Sequence, residues 1–360
     1  MLQLQSISLT QFKNYIHQKF SFSEKVVAIH GLNGTGKTNL LDAIYYLSFT
    51  KSYFARTDAQ NVHHGLQGLR IDGNYLLHNE AKQVVCILRE TNKKEFLIEG
   101  EAYKKFSEHI GNYPCVMIAP DDVALITGSS EERRKFIDTI LCQLNKQYLL
   151  QLIDYTKLLQ QRNSLLKQAA ENGVIDEVLL EIISEQLAKK GNYIFEIRTA
   201  FLENFLPLTL EFYQKISGKD DGITISYESQ LQQAEMKILL QQYKQKDATL
   251  QRTTAGIHKD DFLIQMGTSI FKNEASQGQR KSLLFAFKLA EWQTLKNNKG
   301  FSPILLLDDV FEKLDEERML KLLQWVCHEY DAQVFITDTH KSRLELAFKA
   351  INVPYQLIGL

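Results

Sequence analysis

Residues 26–44 read VVAIHGLNGTGKTNLLDAI, and this stretch decides the fold. The apolar run at 26–29 predicts a buried strand, and the residues after Lys37 have the spacing of a helix. The loop between them matches the pattern G-x-x-x-x-G-K-[ST]. Glycines let successive backbone N–H groups converge on a phosphate, and the following helix N-terminus favours negative charge. Strand, loop and helix in this order predict a phosphate-binding site; the alternative is an accidental glycine-rich turn.

The loop supplies most of the predicted ligands of a nucleotide. Lys37 is placed to reach its β- and γ-phosphates, and Thr38 to offer a hydroxyl to Mg²⁺. We therefore expect ATP and Mg²⁺ as cofactors. The residues predicted to bind the nucleotide here are Gly31, Asn33, Gly34, Thr35, Gly36, Lys37, Thr38 and Asn39.

Composition limits the class of protein. The chain has 360 residues, of which 44% are hydrophobic and 24% charged, as in a globular protein of about two domains. The net charge of −1 means that any nucleic-acid surface has to be a local patch. The four cysteines show no C-x-x-C spacing, no apolar run approaches the ~20 residues of a membrane span, and the N-terminus lacks an export signal. We expect a cytoplasmic protein with no membrane partner.

The hydrophobic pattern divides the chain into sheet-forming ends and a helical middle. Helical spacing runs through 130–159 and 176–216, with interruptions expected near Gly191 and Pro207, and a polar helix follows at 230–246. The predicted strands are 2–10, 26–30, 69–76, 83–89, 95–99, 115–118, 223–227, 304–307 and 334–337. The chain is therefore predicted to be a nucleotide-binding sheet split by a mainly helical insertion.

Paired carboxylates end the apolar strand at 304–307. In P-loop ATPases the strand beside the loop ends in an Asp that holds Mg²⁺, a role that fits Asp308. Asp309 follows, where many relatives carry a Glu that orients or deprotonates the attacking water. Strands also end in Asp at ordinary turns, which is the alternative. With Thr38, Asp308 forms the predicted Mg²⁺ site.

Residues 276–280, SQGQR, open an apolar-rich helix and resemble the signature motif of the ABC ATPase superfamily. The resemblance implies that Ser276, Gln277 and Gly278 contact the γ-phosphate held by an opposing subunit, as a helix N-terminus favours. A capping box formed by Ser276 and Gln279 is an alternative that can hold at the same time.

Two further positions match the ABC pattern. Residues 312–315 follow the paired carboxylates at the spacing of a D-loop. His340 follows the strand at 334–337, where ABC ATPases carry a switch histidine, although a histidine after a strand is often an ordinary surface residue. The candidate catalytic residues are Lys37, Asp308, Asp309 and His340.

Five other segments resemble the RecF family of SMC-like ATPases, so that the resemblance covers essentially the whole chain. Departures are Ile257 and Lys259, where Pro and Arg are expected, and Asp309 in place of Glu, which implies slow hydrolysis. The segments are 9–15 (LTQFKNY), 120–128 (PDDVALITG), 133–138 (RRKFID), 161–167 (QRNSLLK) and 256–262 (GIHKDDF).

The resemblance implies an α/β fold: an ABC-type P-loop ATPase lobe, with a mixed sheet flanked by helices, and a mainly helical inserted lobe. We place the ATPase domain at 1–110 and 250–360 and the insertion at 111–249.

The implied function is an ATP-gated switch in DNA replication and in the repair of DNA damage by recombination. An ATP-dependent homodimer would bind double-stranded DNA near single-strand gaps and, with RecO and RecR, help to load RecA. A weak, DNA-stimulated ATPase activity would release the DNA. A nucleotide-gated nuclease and another SMC-like ATPase stay open as alternatives; the long helical insertion argues against an ABC transporter subunit.

Basic residues scattered along the chain are candidates for contacts with DNA phosphates. Residues 133–135 follow Glu131 and Glu132, so a solvated, salt-bridged helix face is an equal alternative there. The candidates are Lys51, Arg56, Arg133, Arg134, Lys135, Arg162 and Lys167.

Overall fold

The computed structural model describes residues 1–174, 176–309, 316–329 and 332–360. The chain forms two compact units. The first contains residues 1–123, 212–218 and 277–360, and the second contains residues 124–211 and 219–276.

The described chain is rich in strands up to residue 118, helical from residue 124 to residue 217, and mixed after that. The strands are β1 (Leu2–Phe12), β2 (Tyr15–Ser21), β3 (Val26–His30), β4 (Leu69–Leu77), β5 (Glu80–Leu88), β6 (Lys94–Ile98), β7 (Glu101–Ala102), β8 (Cys115–Ile118), β9 (Ile223–Glu228), β10 (Asp261–Met266), β11 (Ser269–Ile270), β12 (Ile304–Leu307), β13 (Val334–Asp338) and β14 (Tyr355–Gly359). The α-helices are α1 (Lys37–Phe49), α2 (Ala124–Thr127), α3 (Ser130–Leu144), α4 (Lys146–Asn172), α5 (Glu177–Ser217), α6 (Met236–Gln242), α7 (Lys244–Leu250), α8 (Phe271–Glu274), α9 (Gln277–Lys299), α10 (Glu316–Gln324) and α11 (Lys341–Ala350).

The first unit is built on two sheets. One has the order β14-β3-β13-β12-β8 and is parallel throughout; the other has the order β2-β1-β4-β5-β6-β7 and is antiparallel. Strands β12 and β13 are buried along their whole length, as expected for the centre of a parallel sheet covered on both faces. Because β3, β12 and β13 are parallel neighbours, their carboxyl ends meet at one edge, the place where open α/β sheets bind ligands.

The second unit is mainly helical and carries the small sheet β11-β10-β9. The helix predicted at 130–159 is two helices, because the Asn145 side chain accepts a hydrogen bond from the Tyr148 N–H (3.0 Å) and starts α4 there.

The predicted interruptions of the next helix are wrong: α5 runs unbroken for 41 residues through Gly191 and Pro207. A Cβ on Gly191 would lie 2.0 Å from the sulfur of Met236, so this glycine serves close packing and does not end the helix. Pro207 removes one helical hydrogen bond, and the buried Leu202 and Phe205 hold the helix in place around it.

The two units differ from the predicted domain boundaries. Residues 111–123 belong to the first unit because β8 pairs with β12 in the parallel sheet. Residues 250–276 belong to the second unit because β10 pairs with β9. The α/β fold class itself is as predicted.

Candidate nucleotide-binding site

The glycine-rich loop connects β3 to α1 and depends on glycine at two positions. Gly34 has a φ of 84° and Gly36 a φ of 113°, a backbone region that other residues adopt only under strain. A Cβ on Gly36 would also lie 2.6 Å from Asn14 Nδ2 and 2.7 Å from the Tyr15 hydroxyl oxygen. Gly36 is therefore fixed both by its conformation and by its neighbours.

Asn14 and Tyr15, at the turn between β1 and β2, hold the loop from outside. Asn14 Nδ2 donates to the carbonyl of Thr35 (2.9 Å), and the Tyr15 hydroxyl donates to the carbonyl of Gly36 (3.0 Å). Asn39 Nδ2 donates in turn to Asn14 Oδ1 (2.7 Å). The sequence contained these residues in the segment that resembles RecF, but no motif spacing indicated that they would support the loop.

Lys37 lies inside the loop and is only 5% exposed. Its Nζ donates to the carbonyls of Gly31 (2.8 Å) and Leu32 (3.1 Å). The ammonium group is thus held among backbone oxygens at the start of the loop, and a phosphate would provide it with a charged acceptor instead.

Thr38 and Asp308 meet at the sheet edge although 270 residues separate them in the chain. The Thr38 hydroxyl lies 3.0 Å from Oδ1 and 2.9 Å from Oδ2 of Asp308. Thr337, on β13, donates its hydroxyl to Asp308 Oδ1 (2.8 Å) and accepts from the Asp309 N–H (2.9 Å). Burial raises the pKa of Asp308 to about 6, opposed by the hydrogen bonds from Thr337 and Thr38 and assisted by the charge of Asp309.

These residues fit Mg²⁺ and a phosphate chain. A threonine hydroxyl and a carboxylate are the hard oxygen donors that Mg²⁺ prefers, and the loop bounded by Gly34 and Gly36 has the backbone shape of a phosphate cradle. The sequence-predicted residues of this part of the site are therefore brought together.

His340 lies between β13 and α11 and is exposed. Its N–H donates to Asp338 Oδ1 (2.7 Å), and the buried Asp338 is held by two hydrogen bonds from Arg343 (2.7 and 2.8 Å). His340 lines an open depression of about 520 Å³ together with Gly31 and Leu32 from the phosphate loop. The structure thus brings His340 to the edge of the loop.

The signature-like segment spans the boundary between the units. Ser276 is the last residue of the second unit, while Gln277 and Gly278 lie in the first turn of α9 in the first unit. The predicted D-loop at 312–315 lies outside the described residues.

Two of the candidate DNA contacts are buried and serve the interior of the second unit. Arg133 donates to both oxygens of Asp261 (2.6 and 3.0 Å), and Arg162, 1% exposed, pairs with Asp247 (2.7 Å). The prediction that these two contact DNA phosphates is wrong, because both guanidinium groups are buried and already paired with carboxylates. Lys135 is exposed and pairs with Glu131 and Glu132, the salt-bridged face that was the alternative.

The remaining candidates keep access to solvent. Arg134 is partly buried, and the other three are exposed: Lys51, Arg56 and Lys167.

The described residues contain neither a membrane-spanning helix nor a cluster of metal-ligating side chains. No helix in this part of the chain is long and apolar enough to cross a membrane. No group of three or more His, Cys, Asp or Glu side chains in the described ranges could hold a metal ion.

Comparison with known proteins identifies the family. Residues 3–109 match the family model for the RecF/RecN/SMC N terminal domain. A protein of Flavobacterium johnsoniae, the DNA replication and repair protein RecF, is 43% identical over 359 residues, which span 100% of both chains. The chain belongs to the RecF family. The RecF of Parabacteroides distasonis is 39% identical over 98% of this chain and 96% of its own.

Solved structures agree with this assignment. The recombination mediator protein RecF with ATP, in the RecFOR pathway, matches this RecF-family chain with a TM-score of 0.87 and 31% identity, over 95% of this chain and 93% of that one. The Smc head domain of Pyrococcus furiosus shares the fold, with a TM-score of 0.56 and 16% identity, over 100% of this chain and 93% of that one. The predicted membership of the RecF family and the ABC-type ATPase fold class are confirmed.

Proposed function

We propose that this RecF-family chain is an ATP-gated DNA-binding protein of replication and recombinational repair. In the proposed cycle, ATP drives formation of a homodimer that binds double-stranded DNA near single-strand gaps. A weak, DNA-stimulated hydrolysis then releases the DNA. The contact between Thr38 and Asp308 carries the proposal, because it joins the phosphate loop to the paired carboxylates in the arrangement that an Mg²⁺-dependent nucleotide site needs.

Each predicted site residue has a proposed role. Lys37 binds the β- and γ-phosphates of ATP, with the loop amides from Gly31 to Asn39 around them. Thr38 and Asp308 hold Mg²⁺, which, when bound, neutralises developing phosphate charge. Asp309 orients the attacking water, and its shorter side chain supports slow hydrolysis; His340 contacts the γ-phosphate from the edge of the loop.

We further propose that a second copy of the chain completes the nucleotide-binding site. Ser276, Gln277 and Gly278 of one subunit would contact the γ-phosphate held by the other, since a helix N-terminus stabilises anions. Binding of ATP then favours the dimer by its differential affinity for the closed state, and the same coupling favours DNA binding.

The relatives support the remaining partners. A neighbouring structure is of a RecF in the RecFOR pathway, so we propose RecR, with RecO, as direct partners and RecA as the protein loaded through them. The described residues contain no membrane-spanning helix, and we place the protein in the cytoplasm. We assign ATP binding to the first unit and propose that the second is the inserted lobe.

The experiment that tests this function measures duplex DNA binding and dimerisation as a function of nucleotide. Light scattering and fluorescence anisotropy would be recorded without nucleotide, with ADP and with ATP, for wild type, Lys37→Ala and Ser276→Arg. Lys349→Ala, an exposed lysine of α11 in the first unit, is the matched control.

We expect ATP to promote both properties in wild type and in Lys349→Ala. Lys37→Ala should lose ATP binding, and Ser276→Arg should keep ATP binding but lose the dimer. DNA binding by wild type that is absent, or indifferent to nucleotide while ATP is still hydrolysed, would overturn the proposal.

A further inference from the structure

The second unit gathers basic side chains around one loop. Arg252 precedes Thr253, whose carbonyl oxygen lies 3.1 Å from His258 Nε2. Lys259 follows His258 in a short 3-10 helix, and the next residue, Asp260, accepts a hydrogen bond on its carbonyl from Arg134 Nη1 (2.7 Å). Arg252, Lys259 and Arg134 therefore lie around the same turn of chain.

Lys246, in the first turn of α7, joins this group. It precedes Asp247, whose carbonyl accepts the backbone N–H of Arg252 (3.1 Å). Its Nζ lies 5.3 Å from the centre of the Tyr243 ring, a position that holds the side chain without neutralising it. We name Arg134, Lys246, Arg252 and Lys259 the basic cluster.

The carboxylates near this cluster are already neutralised by arginines. Asp247 is fully buried and bound to Arg162, and Asp260 is 1% exposed and bound to Arg198. Among the described residues, neither carboxylate forms an ion pair with a residue of the cluster. The two buried pairs are Arg162–Asp247 (2.7 Å) and Arg198–Asp260 (2.8 Å). Two further pairs nearby involve partly exposed carboxylates: Arg198–Asp138 (2.8 Å) and Arg133–Asp261 (2.6 Å).

Lys246, Arg252 and Lys259 are exposed, and within the described ranges none has an ion-pair partner within 4.0 Å. Partial burial of its ammonium group, with Arg252, Arg134 and Lys246 nearby, lowers the pKa of Lys259, and Asp247 opposes this effect. Arg134 is affected in the same way, since burial and the charge of Arg198 lower its pKa. Like charges held together by a rigid scaffold cost free energy in the isolated protein, and an external anion removes that cost.

We propose that the basic cluster is a phosphate-binding surface that contacts the sugar-phosphate backbone of duplex DNA. This proposal rests on the proposed DNA-binding function and assigns that function to named residues, three of which the sequence did not suggest. The guanidinium group of an arginine can bind two phosphate oxygens at once, and a lysine adds positive charge. Contacts of this kind hold the DNA backbone and do not recognise bases. Several phosphates in succession suit a cluster that extends from α3 (Arg134) to the first turn of α7 (Lys246).

The test is the salt dependence of duplex binding by the full chain with ATP present. We would compare wild type with the triple variant Lys246→Gln, Arg252→Gln and Lys259→Gln. Lys189→Gln, an exposed lysine of α5 in the same unit, is the matched control. The slope of log K against log salt should fall by about one for each lost phosphate contact, and affinity at ~0.1 M salt by at least about tenfold.

Each outcome decides between readings. If wild type binds DNA and the triple variant binds it with the same salt slope and the same affinity, the assignment to the basic cluster is overturned. The proposed function is not affected by that result. If wild type does not bind DNA in an ATP-dependent way, the proposed function itself is wrong. If the triple variant loses affinity for a fluorescent ATP analogue but keeps its DNA binding, the cluster binds the phosphates of a free nucleotide. That result overturns the proposal.

Thermal unfolding serves as the control for folding. Because the three substitutions remove mutual repulsion at exposed positions, the triple variant should unfold at the wild-type temperature or above it. A single variant, Lys259→Gln, provides the same test with one charge removed if the triple variant fails to fold.

Discussion

Replacing Arg162 by Met tests whether this arginine serves the interior of the second unit, as the structure indicates, or DNA. Its Nη1 donates to Asp247 Oδ2 (2.7 Å) and to the Thr253 hydroxyl (2.8 Å), and its Nε donates to the Ser184 hydroxyl (3.0 Å). Met keeps a long apolar stem and removes every one of these donors. Within the described part of the chain, the Asp247 carboxylate then stays buried with hydrogen bonds only from Thr254 to its other oxygen.

The size of the effect follows from that burial. Asp247 is 0% exposed, and breaking a buried ion pair from one side costs about 3–5 kcal/mol, because the remaining charge is uncompensated. This is a large part of the 5–15 kcal/mol of a typical domain. For a domain of this size it corresponds to a fall in Tm of roughly 10 °C.

Urea unfolding monitored by circular dichroism would measure the effect, with Arg162→Met/Asp247→Asn as the partner variant. Removing the charge of Asp247 as well should recover most of the loss, since no buried charge then lacks a partner. The salt slope of DNA binding by the double variant should equal that of wild type. A loss below about 1 kcal/mol for Arg162→Met, or a reduced salt slope in the double variant, would refute the reasoning.

Three further predictions concern other buried groups. Tyr15→Phe removes the donor to the Gly36 carbonyl, so affinity for a fluorescent ATP analogue should fall about fivefold; unchanged affinity would show that the loop needs no such support. Burial raises the pKa of Glu291 to about 7, above its unfolded value, so its contribution to stability is present at low pH and lost as pH rises through 7. Glu291→Gln should therefore gain about 1–3 kcal/mol in urea unfolding at pH 8 and little at pH 4; equal gains at both would contradict this. Burial lowers the pKa of His109 to about 4, so wild type should lose about 3 kcal/mol as pH falls from 7 to 4, and His109→Asn should lose less over the same range.

Strands buried in the parallel sheet could be predicted from the sequence to the residue. Cys115–Ile118 and Ile304–Leu307 are continuous apolar runs, which is the pattern of a strand covered on both faces. The edge strands Tyr15–Ser21 and Tyr355–Gly359 were missed, because an edge strand buries few side chains and its pattern is not distinct from a loop.

The site could be predicted only where the chemistry is local in sequence. The loop pattern led to Lys37 and Thr38, and the end of an apolar strand led to Asp308. The roles of Asn14 and Arg162 depend on contacts with residues 21 and 85 positions away, respectively. A charged residue on a long helix looks like a surface residue until its partner is known, which is why the sequence alone predicts a DNA contact for Arg162.

The hydrogen bond from Thr38 to Asp308 has a consequence for ion selectivity. A hydroxyl has a single proton, and the proton of Thr38 is directed at the Asp308 carboxylate. Thr38 Oγ1 therefore presents only its lone pairs to the phosphate loop. The branched Cβ of threonine further restricts rotation of the group. At this point the binding site is thus an acceptor of fixed orientation, which attracts a cation and repels a bare phosphate oxygen. On the proposed function, this acceptor would favour ATP that arrives with its magnesium ion over ATP without one, before any catalytic residue acts.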